Sequence, residues 1–182
     1  MRWDDRLGDL FADLEQQADG LALSQRDAEV AELARAEYAQ VDLVSRLHSS
    51  IGRRLLLDVE GFGVLEGELS RVGEGWCLVG SAGQEWLVRL AATGSLRGLA
   101  ERGVPVQARP VTARLGLASA LRRVAEAQAD VVLHRVAGAT TRGRLLRVGA
   151  DFLDLRAEGD GSGPSGSVQT VPLAALAVVR TC

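Results

Sequence analysis

The 182-residue chain contains no lysine and no asparagine, and all 21 of its basic residues are arginine. A GC-rich coding sequence produces that skew, so abundant arginine does not by itself mark a nucleic-acid binder. Cysteine is scarce: Cys77 lies inside a strand pattern and Cys182 ends the sequence, with neither a CxxC nor the spacing of a disulfide framework. No apolar run approaches the roughly 18 residues of a membrane span, and even Leu173 to Val179 is far shorter. The opening residues are acidic from Asp4, unlike the basic start of a signal peptide, so a cytoplasmic protein with no membrane partner is expected.

Catalytic chemistry is equally thin. The two histidines, His48 near a helix end and His134 on what reads as the outward face of a strand, lack a second ligand or an orienting carboxylate at motif spacing. There is no G-x-S-x-G elbow. The stretch from Glu158 to Ser167, rich in glycine and serine, lacks GxxxxGK[ST] and has no helix pattern behind it, so it reads as a flexible loop. Trp3, Trp76 and Trp86 suit packing better than stacking on bases. No metal, cofactor or small-molecule substrate is indicated, and an enzyme is not expected.

What is present is a repeat. Gly67-Glu68-Leu69-Ser70-Arg71-Val72-Gly73 recurs 76 positions later as Gly143-Arg144-Leu145-Leu146-Arg147-Val148-Gly149, both reading G-x-L-x-R-V-G. Alternating apolar residues precede each copy (Leu55, Leu57, Val59; Val131, Leu133), and an aromatic follows the last glycine by three residues, Trp76 or Phe152. Leu90-Ala91-Ala92 then answers Leu173-Ala174-Ala175, with seven extra residues in the second copy. Such self-similarity predicts two small β domains of one fold. Each would have a small core, since domains of about 60 residues bury only roughly 60% of their unfolded surface, so each is expected to lean on a helix, its sibling or another chain.

Before the repeats, Trp3, Leu7, Leu10, Leu14 and Leu21 predict an amphipathic helix, and a second helix is predicted from Ser24 to about Ser50. Residues 1–50 carry eleven acids against five arginines, a net charge of −6. The organisation expected is an acidic helical arm over 1–50, a first barrel over 51–101, a linker and helix over 102–128, and a second barrel over 129–182. Gly67 and Gly143, each in the middle of a strand, are expected to permit a sharp bend or a close approach of backbones.

A short helix, five strands with glycine in the second, the turn Gly149-Ala150-Asp151-Phe152 and a late strand Val171-Pro172-Leu173-Ala174-Ala175-Leu176 together resemble the Sm-like fold. The resemblance covers residues 45–98 and 114–181 and implies an α+β protein with two tandem five-stranded Sm-like or SH3-like barrels, each preceded by a helix. It also implies ring assembly by strand pairing, and RNA binding through loop residues. The chain is similar as well to a protein group of high-GC bacteria that lends it no activity. The position that is polar in Sm-like proteins after the second-strand turn is Leu153 in one copy and Cys77 in the other.

Charge separates the copies. Residues 55–80 hold one arginine and five acids, net −4, whereas residues 131–156 hold five arginines and two acids, net +3. Glu66 and Glu68 become Arg142 and Arg144. Arg135, Arg142, Arg144 and Arg147 are therefore candidates for contact with phosphates or with a partner. Glu66 and Glu68 are candidates for a complementary contact, within a chain or between neighbours. The leading expectation is a noncatalytic interaction or assembly protein with a protein partner or self-association; the alternative is an RNA-binding protein that uses the basic second barrel.

Overall fold

The computed structural model describes residue 16, residues 25–158 and residues 166–181. Apart from residue 16, the helix expected over 3–21 lies outside the described residues, as do most of the loop at 158–167 and Cys182. Two units are distinguished, Met1–Val41 and Asp42–Cys182. In the first, residues 25–38 form helix α1, on which Val30 and Leu33 are exposed. The single helix expected from Ser24 to Ser50 is instead two. Asp42 adopts an extended conformation and caps a new helix, α2 (Leu43–His48), by accepting a hydrogen bond from the Ser45 N–H.

The second unit continues through β1 (Arg54–Val59), β2 (Gly63–Gly73), β3 (Trp76–Ser81), β4 (Gln84–Arg89) and β5 (Thr93–Arg97). After a linker with two short 3-10 turns come α3 (Leu117–Glu126), β6 (Asp130–Arg135), β7 (Thr140–Val148), β8 (Phe152–Ala157), β9 (Val168–Pro172) and β10 (Leu176–Thr181). The repeated Leu-Ala-Ala is a 3-10 turn in both copies, Leu90–Ala92 and Leu173–Ala175, so the late strand expected across Pro172 is divided by it.

The ten strands are hydrogen-bonded into one open antiparallel sheet in the order β5-β1-β2-β3-β4-β10-β6-β7-β8-β9. Two separate closed barrels are not found. The reason lies in one joint: β4 pairs with β10, through Val88 with Val178, Leu87 with Val179 and Trp86 with Arg180, and so fuses the two five-strand halves. Each half repeats the other's strand order, with its fifth strand beside its first.

The motif glycines mark close approaches. A Cβ on Gly67 would overlap the Gly80 carbonyl oxygen and come within 2.7 Å of a Val79 methyl, and one on Gly143 would overlap the Arg156 carbonyl oxygen. In both copies the last glycine lies beneath the following aromatic, so that a Cβ would meet the ring of Trp76 or Phe152. The register slips between Leu69 and Arg71 in β2 and between Leu145 and Arg147 in β7. These bulges bend each long strand sharply.

Alternation along the strands fills two cores. Leu55, Leu57, Leu69 and Val79 form the first with Leu47 of α2; Val131, Leu133, Leu145 and Leu155 form the second with Leu121 of α3. Each half also lends residues to the other's core: Ala177 and Val178 of β10 enter the first, while Trp76 and Leu87 enter the second. The sibling support expected for such small cores thus runs through the β4 to β10 joint.

Candidate interaction surfaces

The charge inversion seen in the sequence is a local exchange. Arg54 and Asp130 occupy the same place in β1 and β6, opposite Glu68 and Arg144 respectively. Arg54 Nε donates to Glu66 at 2.8 Å, and Arg144 Nε donates to Asp130 at 3.0 Å. The first half therefore has its cation on the first strand and acids on the second, and the second half has the reverse. Arg144 holds the Asp130 carboxyl below the usual carboxylate range by its hydrogen bond, and Asp130 in turn raises the guanidinium. Glu66 and Arg144 each have a partner within their own half.

The other candidates are spread across the second half. Arg142 lies 3.5 Å from Glu158. Arg147 Nη2 donates to Asp154 at 2.8 Å, and Thr170 Oγ1 donates to the other oxygen of Asp154 at 2.7 Å. The Thr170 hydrogen bond, with support from Arg147, lowers the Asp154 pKa. Arg135 is turned toward Thr141, to whose hydroxyl its Nη2 donates at 3.2 Å. Arg142 and Arg144 are two residues apart on β7, and Arg156 of β8 is the register partner of Arg144, which groups three guanidinium groups with Asp130 and Glu158.

His134 is not on an open face. It packs edge-on against Phe62 at 4.8 Å between centroids and lies beside Trp86, over which Arg180 sits at 5.3 Å. This cluster spans the joint, since Phe62 and Trp86 come from the first half and His134 and Arg180 from the second. Burial and the Arg180 charge push the His134 pKa down. Burial likewise lowers that of His48 and pushes the Cys77 thiol up to about 12, which marks an inert, buried thiol.

Two features were not legible as sites in the sequence. Among the described residues, β5 and β9 have a strand on one side alone. The offsets of 76 and 83 between copies identify β9 as the counterpart of β4 and β5 as that of β10, but this becomes informative once β4 is seen to pair with β10. The second feature is a cavity of about 540 Å³ at the joint, lined by Arg71, Trp76, Leu78, Leu87 and residues of α3.

Among the described residues no group of three side chains could hold a metal ion, and no helix is long and apolar enough to cross a membrane. No family model and no curated protein matches the chain.

Proposed function

We propose that the protein is a noncatalytic assembly protein made of two Sm-like halves, which associates head to tail by adding β9 of one copy to β5 of the next. One observation carries this reading: the chain already makes that joint once, between β4 and β10. Transferring its register by the repeat offsets places Val171, Thr170 and Gln169 opposite Ser95, Leu96 and Arg97 of a neighbour. Pro172, which has no N–H, falls at the position of Arg89, outside the β4 to β10 ladder, and so does not obstruct it. A heterologous contact of this kind closes into a ring when its rotation permits.

Exposure supports the same edge. Trp76 is 7% exposed, its Nε1 donating to the Leu115 carbonyl at 2.7 Å, whereas its counterpart Phe152 beside β9 is 40% exposed and Val168 is 55% exposed. Native mass spectrometry of nuclease-treated protein tests the reading. A discrete multiple of the chain mass supports it, and a monomer at micromolar concentration contradicts it.

RNA binding is the second reading, favoured by the grouping of Arg142, Arg144 and Arg156. Its affinity would fall steeply with salt and be lost on replacing Arg142, Arg144 and Arg147 by glutamate. Binding that survives that replacement would rule out this face.

A further inference from the structure

The two halves differ most tellingly along one cross-strand row. In the second half, Arg147, Asp154 and Thr170 are register partners across β7, β8 and β9, and the carboxylate is held by both neighbours. In the first half the same row reads Arg71, Leu78 and Leu87, continued by Val179 of β10. The arginine is kept, while its carboxylate and the hydroxyl have been replaced by leucines. Among the described residues, Arg71 has no ion pair.

That row forms part of the lining of the cavity at the joint, which α3 borders with Ala120, Arg123 and Val124. Trp76, Glu85 and Thr181 also line it. Arg123 is itself paired with Glu126 at 3.7 Å, so of the two guanidinium groups in the lining Arg71 is the one without an ion pair among the described residues, and it stands in the same row as Leu78, Leu87 and Val179. A volume of about 540 Å³ falls within the range that small-molecule sites occupy. The missing carboxylate and the leucines that replaced it describe the occupant's chemistry.

We infer that this cavity binds a small apolar carboxylate, of the chemistry of a medium-chain fatty acid, with its hydrocarbon chain on Leu78, Leu87 and Val179 and its carboxylate on Arg71. A guanidinium offers two parallel N–H donors that match a carboxylate, which a neutral head group of the same chain length does not exploit. The apolar chain supplies affinity by displacing water from the leucine floor, and the head group supplies selectivity. The second half offers no equivalent, because Asp154 already occupies Arg147. This inference is independent of strand-mediated assembly, which uses other residues.

Octanoate and 1-octanol, titrated into the full chain below their aggregation limits and followed by methyl resonances, provide the test. Octanoate is expected to bind saturably, to move the resonances of Leu78, Leu87 and Val179, and to bind at least tenfold more tightly than octanol. Arg71→Gln should bring the two affinities together. The double variant L78D/L87T, which copies a row the second half already accommodates, should give Arg71 an internal partner and weaken octanoate at least tenfold. Should that variant fail to fold, Arg71→Gln alone decides. Equal binding of acid and alcohol by the unaltered protein, no saturable octanoate binding, or a preference unchanged by Arg71→Gln would overturn the inference.

Discussion

Leu87 of β4 and Val179 of β10 face each other across the joint between the two halves, and both side chains lie in the second core. Their strand neighbours Val88 and Val178 turn the other way and lie in the first core. The joint is thus buried on both faces. Neither half could expose its joining strand to water without opening both cores, so the two are expected to unfold together.

The motif glycines give the sharpest stability prediction. Gly67→Ala and Gly143→Ala should each cost about 3 kcal/mol, because the added Cβ must displace the backbone of the neighbouring strand. Gly116→Ala serves as control, since an added Cβ there would find nothing within 4 Å and its φ is −71°. Thermal denaturation of the three variants should separate them clearly; equal midpoints would remove the close-approach role.

This same motif shows how far the sequence reaches. G-x-L-x-R-V-G and the alternating apolar residues before it disclose the repeat, its strands and its two bends, because a missing side chain and a period of two are written in residue identity. The Leu-Ala-Ala turn was not legible, since a 3-10 turn depends on backbone conformation that Leu and Ala do not dictate, whereas the break before Asp42 was marked by a favoured N-cap residue that the apolar spacing running through Val41, Val44 and Leu47 concealed. Nor was the fusion of the halves legible: Trp86, Leu87 and Val88 look alike whether they edge a barrel or join two. The exchanged charges were visible, but Arg54 and Asp130, which explain them, become partners through strand register.

The inverted ion pairs predict where coupling is found. A double-mutant cycle on Asp130 and Arg144 should give a small favourable coupling that fades as salt is added, as exposed cross-strand pairs do. Within one chain, a cycle on Glu66 and Arg144 should be additive, because each has its partner in its own half. Denaturant titrations at low salt measure both, and strong coupling of Glu66 to Arg144 would show that the halves meet through these faces.

Gln128, at the end of α3, has φ +50°, while its counterpart Gly52 has φ +83°. A left-handed conformation strains a residue with a Cβ and suits glycine. Gln128→Gly should therefore raise stability, by about 0.5 kcal/mol once the greater freedom of glycine in the unfolded chain is set against the relieved strain. A lower denaturation midpoint would contradict this.

Acid should weaken the joint. The folded pKa of His134 lies below its ordinary value, through burial and then through Arg180. Its other close neighbours are Phe62, Trp86 and the Thr140 hydroxyl, 3.2 Å from Nδ1. As pH falls the unfolded chain takes up this proton first. The contribution is therefore complete above the unfolded pKa of about 6.5 and is lost as pH falls through the folded pKa. Replacing His134 by glutamine should reduce the dependence of stability on pH below about 6.5, leaving the part that His48, also lowered by burial, contributes; denaturant melts across pH measure it, and an unchanged slope would show that His134 does not carry it.

The central claim is that the β4 to β10 joint is repeated between chains, and its register makes it directly testable. Arg97→Cys and Gln169→Cys occupy the counterparts of Arg180 and Trp86, which are register partners. Their strands, β5 and β9, stand at opposite ends of the sheet within one chain. In a Cys182→Ser background, with Cys77 buried, a short bismaleimide crosslinker should join the pair between chains and yield a ladder of covalent multimers. Either cysteine alone should yield none. A double-cysteine protein that stays monomeric under the crosslinker, at concentrations where the native mass is measured, would contradict the account.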